Sequence, residues 1–213
     1  MTRIPEKEVL RYLGARQADP SLAAQITELC AAMEQRIVPK AVWREYPCTV
    51  TEHTVQIPGA CFESRRLALH VQDCAALLLF AATLGTEADR MARMERTRSM
   101  ARGAIVHAAG AAMIEQYCDD VQMELALAYE QRGLFLRPRY SPGYGDLPLS
   151  CQADFFRLLE LPKKLALNLS DDYLMIPSKS VTAVIGLSPR RERSFARFQK
   201  EKKHAATTLE ESL

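Results

Sequence analysis

The residues best suited to chemistry lie between Arg137 and Gly145, in the run RPRYSPGYG. Arg137 and Arg139 could offer planar, fork-like donors to a carboxylate, and Tyr140 and Tyr144 could offer flat faces and hydroxyls. Gly143 and Gly145 bracket Tyr144, with Pro142 just before the pair. Such a backbone can turn sharply or approach a ligand closely while carrying the ring outward. The run therefore suits a small anionic or zwitterionic ligand. The plainer reading, a surface turn whose arginine stems pack over aromatic rings, stays open on these residues alone.

Other reactive side chains are dispersed. The cysteines at 30, 48, 61, 74, 118 and 151 include no CxxC pair, and with no secretory leader in view they read as reduced, buried, small apolar side chains of a cytoplasmic protein. The histidines at 53, 70, 107 and 204 are equally scattered, so no metal site is expected. No acid–base or nucleophilic constellation stands out, and no catalytic residue is assigned. The net charge of +2, from 28 basic and 26 acidic residues, is too balanced to point to nucleic acid or a membrane surface. Arg190 to Lys203 alone carries +5, leaving −3 for the rest. That segment, within 190–213, reads as a basic C-terminal helix or tail, with docking to an acidic protein as an alternative. Apolar runs are too short to span a bilayer.

These residues need a scaffold, and with 48% hydrophobic and 25% charged residues in 213 positions the chain can bury a full core. Apolar spacing predicts a short helix over Glu6 to Leu13 and a second between Asp19-Pro20 and Pro39. Short extended pieces follow from Ala41 to Arg66, and the alternation of Leu67, Leu69 and Val71 predicts a half-buried strand. Asp73 is placed as the cap of a helix through Leu77 and Leu84, ending at Gly85. Another helix begins near Thr86, and an alanine-rich one, with an internal break, occupies Thr97 to Arg132 until Gly133 stops it. Beyond the loop come a short helix over Ala153 to Leu159, an alternation at Leu165, Leu167 and Leu169, and a turn feeding a strand through Val181 to Leu187. Helices dominate the first two thirds, and no glycine-rich phosphate fingerprint follows a strand. The expectation is an α+β fold rather than a doubly wound sheet.

Two segments, RYSPGYG at Arg139 to Gly145 and MIPSKSVTAVIGLSP at Met175 to Pro189, together resemble the reactivation domain of cobalamin-dependent methionine synthase. Pro177, Ser180 and Val181 match the family's P-x-x-S-V-x-G element, with Ala183 where glycine is usual. EVLRYLG at Glu8 to Gly14 and TLG at Thr83 to Gly85 resemble free-standing bacterial members. The resemblance covers residues 1–189, nearly the whole chain. It implies a C-shaped or helmet-like α+β domain with a central antiparallel sheet flanked by helices.

The resemblance also implies binding of S-adenosylmethionine, used to restore methylcobalamin after the cobalt centre oxidises, with flavodoxin or another reductant supplying the electron. Cobalamin would arrive on a separate cobalamin-binding methionine synthase chain. Arg139 stands at the family arginine that contacts the methionine carboxylate, and Tyr144 at the tyrosine whose ring lies near the ligand and faces the corrin. Tyr140, Pro142 and Gly143 would form the loop backbone around the ligand. Glu115 matches an acidic position near the ligand amine or sulfonium, against the reading of a helix cap or salt bridge. An aspartate and aromatic cluster near the start of fused relatives has no equivalent here, which favours a nonenzymatic adaptor that docks a corrinoid protein. Service to a different corrinoid methyltransferase is the other alternative.

Overall fold

The computed structural model describes residues 2–191. The basic segment therefore falls outside the described residues from position 192 onward. The described chain is α+β: antiparallel sheets flanked by helices. It divides into two compact units, the first formed by Met1–Trp43, Phe80–Val121 and Gln152–Thr182, the second by Arg44–Leu79, Gln122–Cys151 and the chain from Ala183.

In the first unit, α1 (Glu6–Tyr12) precedes α2 (Pro20–Arg36). Asp19 caps α2 by accepting from the Leu22 N–H at 2.8 Å, and Pro20 occupies the first turn, where a missing N–H costs nothing. Helix α4 (Thr86–Arg98) ends at Ser99, which is extended. The break expected in the alanine-rich region falls there, and α5 (Met100–Glu130) runs 31 residues without interruption. Close helix approach is visible at Gly103, where a Cβ would lie 2.7 Å from Arg96 Cβ. Helices α6 (Gln152–Leu159) and α7 (Leu161–Leu165) and the two-stranded pair β7 (Asn168–Leu169) and β8 (Met175–Ile176) complete this unit. The expected alternation around Leu165 to Leu169 thus begins as helix. Ile26, Met33, Ile105, Met113 and Phe155 are fully buried here.

In the second unit, β2 (Thr49–Val50), β3 (Thr54–Ile57) and β4 (Ala60–Glu63) form an antiparallel sheet in which Val55 pairs with Phe62. A four-stranded sheet is ordered β1 (Lys40–Pro47), β5 (Ala76–Thr83), β9 (Ser180–Ser188) and β6 (Phe135–Leu136), and β1, β5 and β9 contribute residues to both units.

Two expected elements are corrected. The Leu67, Leu69 and Val71 segment forms a helix, α3 (Arg65–His70), not a strand. Its buried side chains are Leu67, Ala68 and Val71, while Leu69 is 55% exposed, a helical rather than an alternating pattern. The helix also has a cap, since Ser64 Oγ accepts from the Leu67 N–H at 3.0 Å. The segment through Leu77 to Leu84 is strand β5, not a helix capped by Asp73. Leu77 to Ala82 are wholly buried, so side chains on both faces of this inner strand are covered, which is why its apolar run is continuous. Cys61, expected to be buried, is exposed, whereas Cys30, Cys74 and Cys118 are buried, and burial pushes the Cys30 and Cys74 thiols up to about 12.

Candidate functional site

The site is built on the second unit, from the end of α5 onward. The helix stops through a reverse turn in which Leu134 N–H returns to Tyr129 O at 3.0 Å and Gly133 takes a positive φ of 71°. Strand β6 then pairs antiparallel with β9, Phe135 opposite Ser188 and Leu136 opposite Leu187. The pairing continues irregularly past β6. Arg137 N–H donates to Gly186 O at 2.8 Å, and Tyr140 exchanges two bonds of 2.9 and 2.8 Å with Val184. Residues 137 to 140 are therefore held against an inner strand instead of floating in a loop.

Gly186 makes that approach possible: a Cβ there would lie 3.0 Å from Arg137 Cγ and 2.8 Å from Cys74 Sγ. Beyond Tyr140 the chain folds on itself. Tyr144 N–H donates to Ser141 O at 3.1 Å, Gly143 N–H to Leu147 O at 2.8 Å, and Leu147 N–H to Tyr144 O at 3.1 Å. Gly143 and Gly145 both have positive φ, 86° and 62°, as their sequence positions suggest. At Gly145 the constraint is double, because a Cβ would meet Tyr140 Oη at 2.5 Å and Arg66 Cδ at 2.9 Å.

The two arginines have different roles. Arg137 ion-pairs with Asp73 through Nη2, and Ser188 Oγ donates to the same carboxylate at 2.6 Å. Burial alone would push the Asp73 carboxyl up, but the Ser188 hydrogen bond and the Arg137 guanidinium together hold it below its ordinary value. Asp73, expected as a helix cap, thus anchors Arg137 inside the unit. Arg139 is half-buried, and its Nη1 donates to Gln122 Oε1 at 2.9 Å. The same Gln122 amide donates through Nε2 to Arg137 O at 3.1 Å. One buried side chain from α5 thereby fixes both the backbone at 137 and the guanidinium at 139.

The tyrosines divide similarly. Tyr140 is buried, and its hydroxyl has no hydrogen-bond partner among the described residues. Burial and then the neighbouring Asp146 carboxylate push its pKa up, so it remains a neutral donor. Tyr144 is 66% exposed and meets the Tyr140 ring edge-on at a centroid distance of 5.3 Å. The His70 ring lies 5.4 Å from that of Tyr140, with Nε2 2.8 Å from Pro138 O. Pro142 is buried under the turn.

The structure brings Arg139, Tyr140, Pro142, Gly143 and Tyr144 together in one continuous run, while Glu115 lies exposed on α5 in the first unit. Four participants escaped sequence reasoning: Gln122, His70, Asp73 in its actual role, and Asp146. Asp146 accepts from the backbone N–H of Arg65 at 2.9 Å and of Arg66 at 3.2 Å, and receives the Ser64 hydroxyl. It ties the far side of the loop to the first turn of α3. No local pattern marks any of the four, since each acts on a partner remote in sequence.

The fold and site together define an α+β scaffold whose single run from 139 to 145 carries an oriented arginine and an exposed, glycine-bracketed tyrosine. In fold the chain is similar to a crystal structure of the MetH reactivation domain bound to AdoHcy: the alignment has a TM-score of 0.63 at 15% identity and covers 90% of this chain and 76% of that one. No protein-family model matches the sequence, and no curated protein matches it. Among the described residues no helix is long and apolar enough to cross a membrane, and no group of His, Cys, Asp and Glu could hold a metal ion.

Proposed function

We propose that this chain binds S-adenosylmethionine and presents it to a cobalamin carried by a separate, cobalamin-dependent methionine synthase chain, in the cytoplasm. The observation that carries this reading is that one short run holds the Gln122-oriented guanidinium of Arg139 and, five residues on, the exposed, glycine-bracketed ring of Tyr144. The residues suit the ligand. A guanidinium fork matches an amino-acid carboxylate.

When bound, S-adenosylmethionine supplies a methyl group already activated on a sulfonium, and the partner's cobalamin, after one-electron reduction by flavodoxin or another reductant, is its acceptor. The chain itself then has no proton to move. Arg139 anchors the donor at its carboxylate, remote from the methyl carbon. Positive φ at Gly143 and Gly145 folds the turn that carries the Tyr144 ring outward. Tyr144 acts by shape and access, with an exposed ring that can cover the ligand and meet the corrin. Positioning and exclusion of water are the contributions required.

Calorimetric titration of S-adenosylmethionine into the protein, with Arg139→Ala as control, tests the reading. Micromolar binding that weakens at least tenfold in the variant supports it. Absence of binding to the unaltered protein would leave an adaptor that docks a corrinoid protein without presenting a methyl donor.

A further inference from the structure

The first unit holds an open cleft of about 520 Å³ that the methyl-donor reading does not use. Helices α4 and α5 form its walls, brought close at Gly103, and the chain from β8 to Ser178 closes one side. Its apolar surface comes from Met100, Met175 and Ile176, of which Met100 is 74% and Ile176 54% exposed. Exposed methionine beside isoleucine makes an adaptable apolar face that water solvates poorly.

The charges around the cleft are unbalanced. Asp89 is the only carboxylate lining it, and Ser178 occupies that carboxylate through its N–H at 2.9 Å and its hydroxyl at 2.6 Å. Nearby arginines elsewhere on these helices are matched: Arg90 with Glu87, Arg98 with Glu95, Arg102 with Glu95 and Glu28. The two that line the cleft, Arg93 and Arg96, have no ion pair or side-chain hydrogen bond among the described residues. A further cation stands at the wall. The Lys179 stem lies across Gly110, where a Cβ would be 3.2 Å from Lys179 Cε, and this path brings Nζ to 3.3 Å from Nε2 of the cleft residue His107. Burial and the adjacent Lys179 push the His107 pKa down, and burial pushes Lys179 down against the pull of Asp89. An arriving anion would offset the positive charge of Arg93, Arg96 and Lys179.

We propose that this cleft binds an organic anion, an oxyanion head such as a carboxylate or phosphate meeting Arg93 and Arg96 while an apolar body covers Met100, Met175 and Ile176. The volume is in the range of small-ligand sites, and apolar walls with a few convergent charges are their usual composition. Guanidinium groups suit such a head because two parallel N–H bonds reach its oxygens.

Fluorescence titration of the full chain with 1-anilinonaphthalene-8-sulfonate tests the assignment, with uncharged N-phenyl-1-naphthylamine as comparison. The sulfonate should bind saturably and at least about tenfold more tightly than the neutral probe, as expected for a charge-assisted contact. The double variant Arg93→Gln/Arg96→Gln, at exposed positions, should reduce sulfonate affinity about tenfold while leaving the melting temperature unchanged. Imidazole NMR signals of His107, but not of His53 or His70, should shift on adding the probe. Octanoate and octyl phosphate should displace it, and their order identifies the preferred head. Equal affinity for the neutral probe, full affinity in the double variant, stationary His107 signals, or failure of both competitors would each overturn the proposal.

Discussion

Arg139 Nη1 donates at 2.9 Å to the side-chain oxygen of Gln122, whose nitrogen donates at 3.1 Å to the carbonyl of Arg137. A single amide, 5% exposed, therefore sets the guanidinium and the backbone two residues before it in one frame. In the proposed function this makes Gln122 a positioning residue for the carboxylate anchor. Gln122→Leu should weaken S-adenosylmethionine binding about tenfold, on the scale of a lost charge-assisted bond. Binding of 5′-methylthioadenosine, which has no carboxylate, should change little. Equal losses for both ligands in parallel calorimetric titrations would show a general collapse of the site.

The Arg137–Asp73–Ser188 cluster should act on stability more than on ligand affinity. Removing the Asp73 charge with Asp73→Asn deletes an ion pair to a largely buried guanidinium, a cost of about 2 kcal/mol, or roughly 4–8 °C in Tm for a chain of this size. Because the folded-state pKa of Asp73 is depressed, its contribution is complete above the unfolded carboxyl pKa of about 3.9 and fades as pH falls through the lower folded value. Thermal melts of both proteins should differ near pH 7 and converge below about pH 4. A gap that persists undiminished into acid would contradict the ion-pair account.

Gly145→Ala and Gly133→Ala separate crowding from backbone strain. Both glycines have positive φ, but a Cβ at 133 meets nothing within 4 Å, whereas at 145 it would lie 2.5 Å from Tyr140 Oη. Alanine at 133 should cost about 1 kcal/mol, the left-handed penalty alone. At 145 the cost should exceed this by about 1 kcal/mol or more, because the Tyr140 ring or the turn must move. Urea unfolding of the two variants measures the difference directly.

Tyr144→Ala should leave folding nearly untouched, within about 1 kcal/mol, because the ring is mostly exposed and its main described neighbour is the edge of Tyr140. Recovery of methylcobalamin in a reconstituted system with a cobalamin-bearing partner and reductant should fall further than affinity for S-adenosylmethionine. Parallel losses in the two assays would remove Tyr144 from the corrin-facing position.

Much of the scaffold was legible along the chain because its signals are local. Asp19-Pro20 starts α2, Gly133 ends α5, and the φ-permissive glycines around Tyr144 mark a turn that the structure contains. Those features depend on backbone conformations and caps settled within a few residues. The resemblance carried by RYSPGYG and MIPSKSV agrees with a similar fold in the solved reactivation domain. Periodicity failed where neighbours from elsewhere decide which faces are covered. Strand β5 is apolar throughout because both of its faces are buried, and Leu67 to Val71 is helical although its leucines alternate.

By itself the sequence determined the α+β class and the turn that displays Tyr144. Tertiary structure decided which distant groups meet the two arginines: Arg137 meets Asp73 across 64 residues, and Arg139 meets Gln122 across 17. It also decided that Asp146, more than 80 residues from Ser64, fastens the loop to α3. The physical reason is common to these cases. A cap or a positive φ is stabilised by the residues next to it, whereas a buried donor or charge is stabilised by whichever group the fold brings to its side, and that group carries no mark in the sequence.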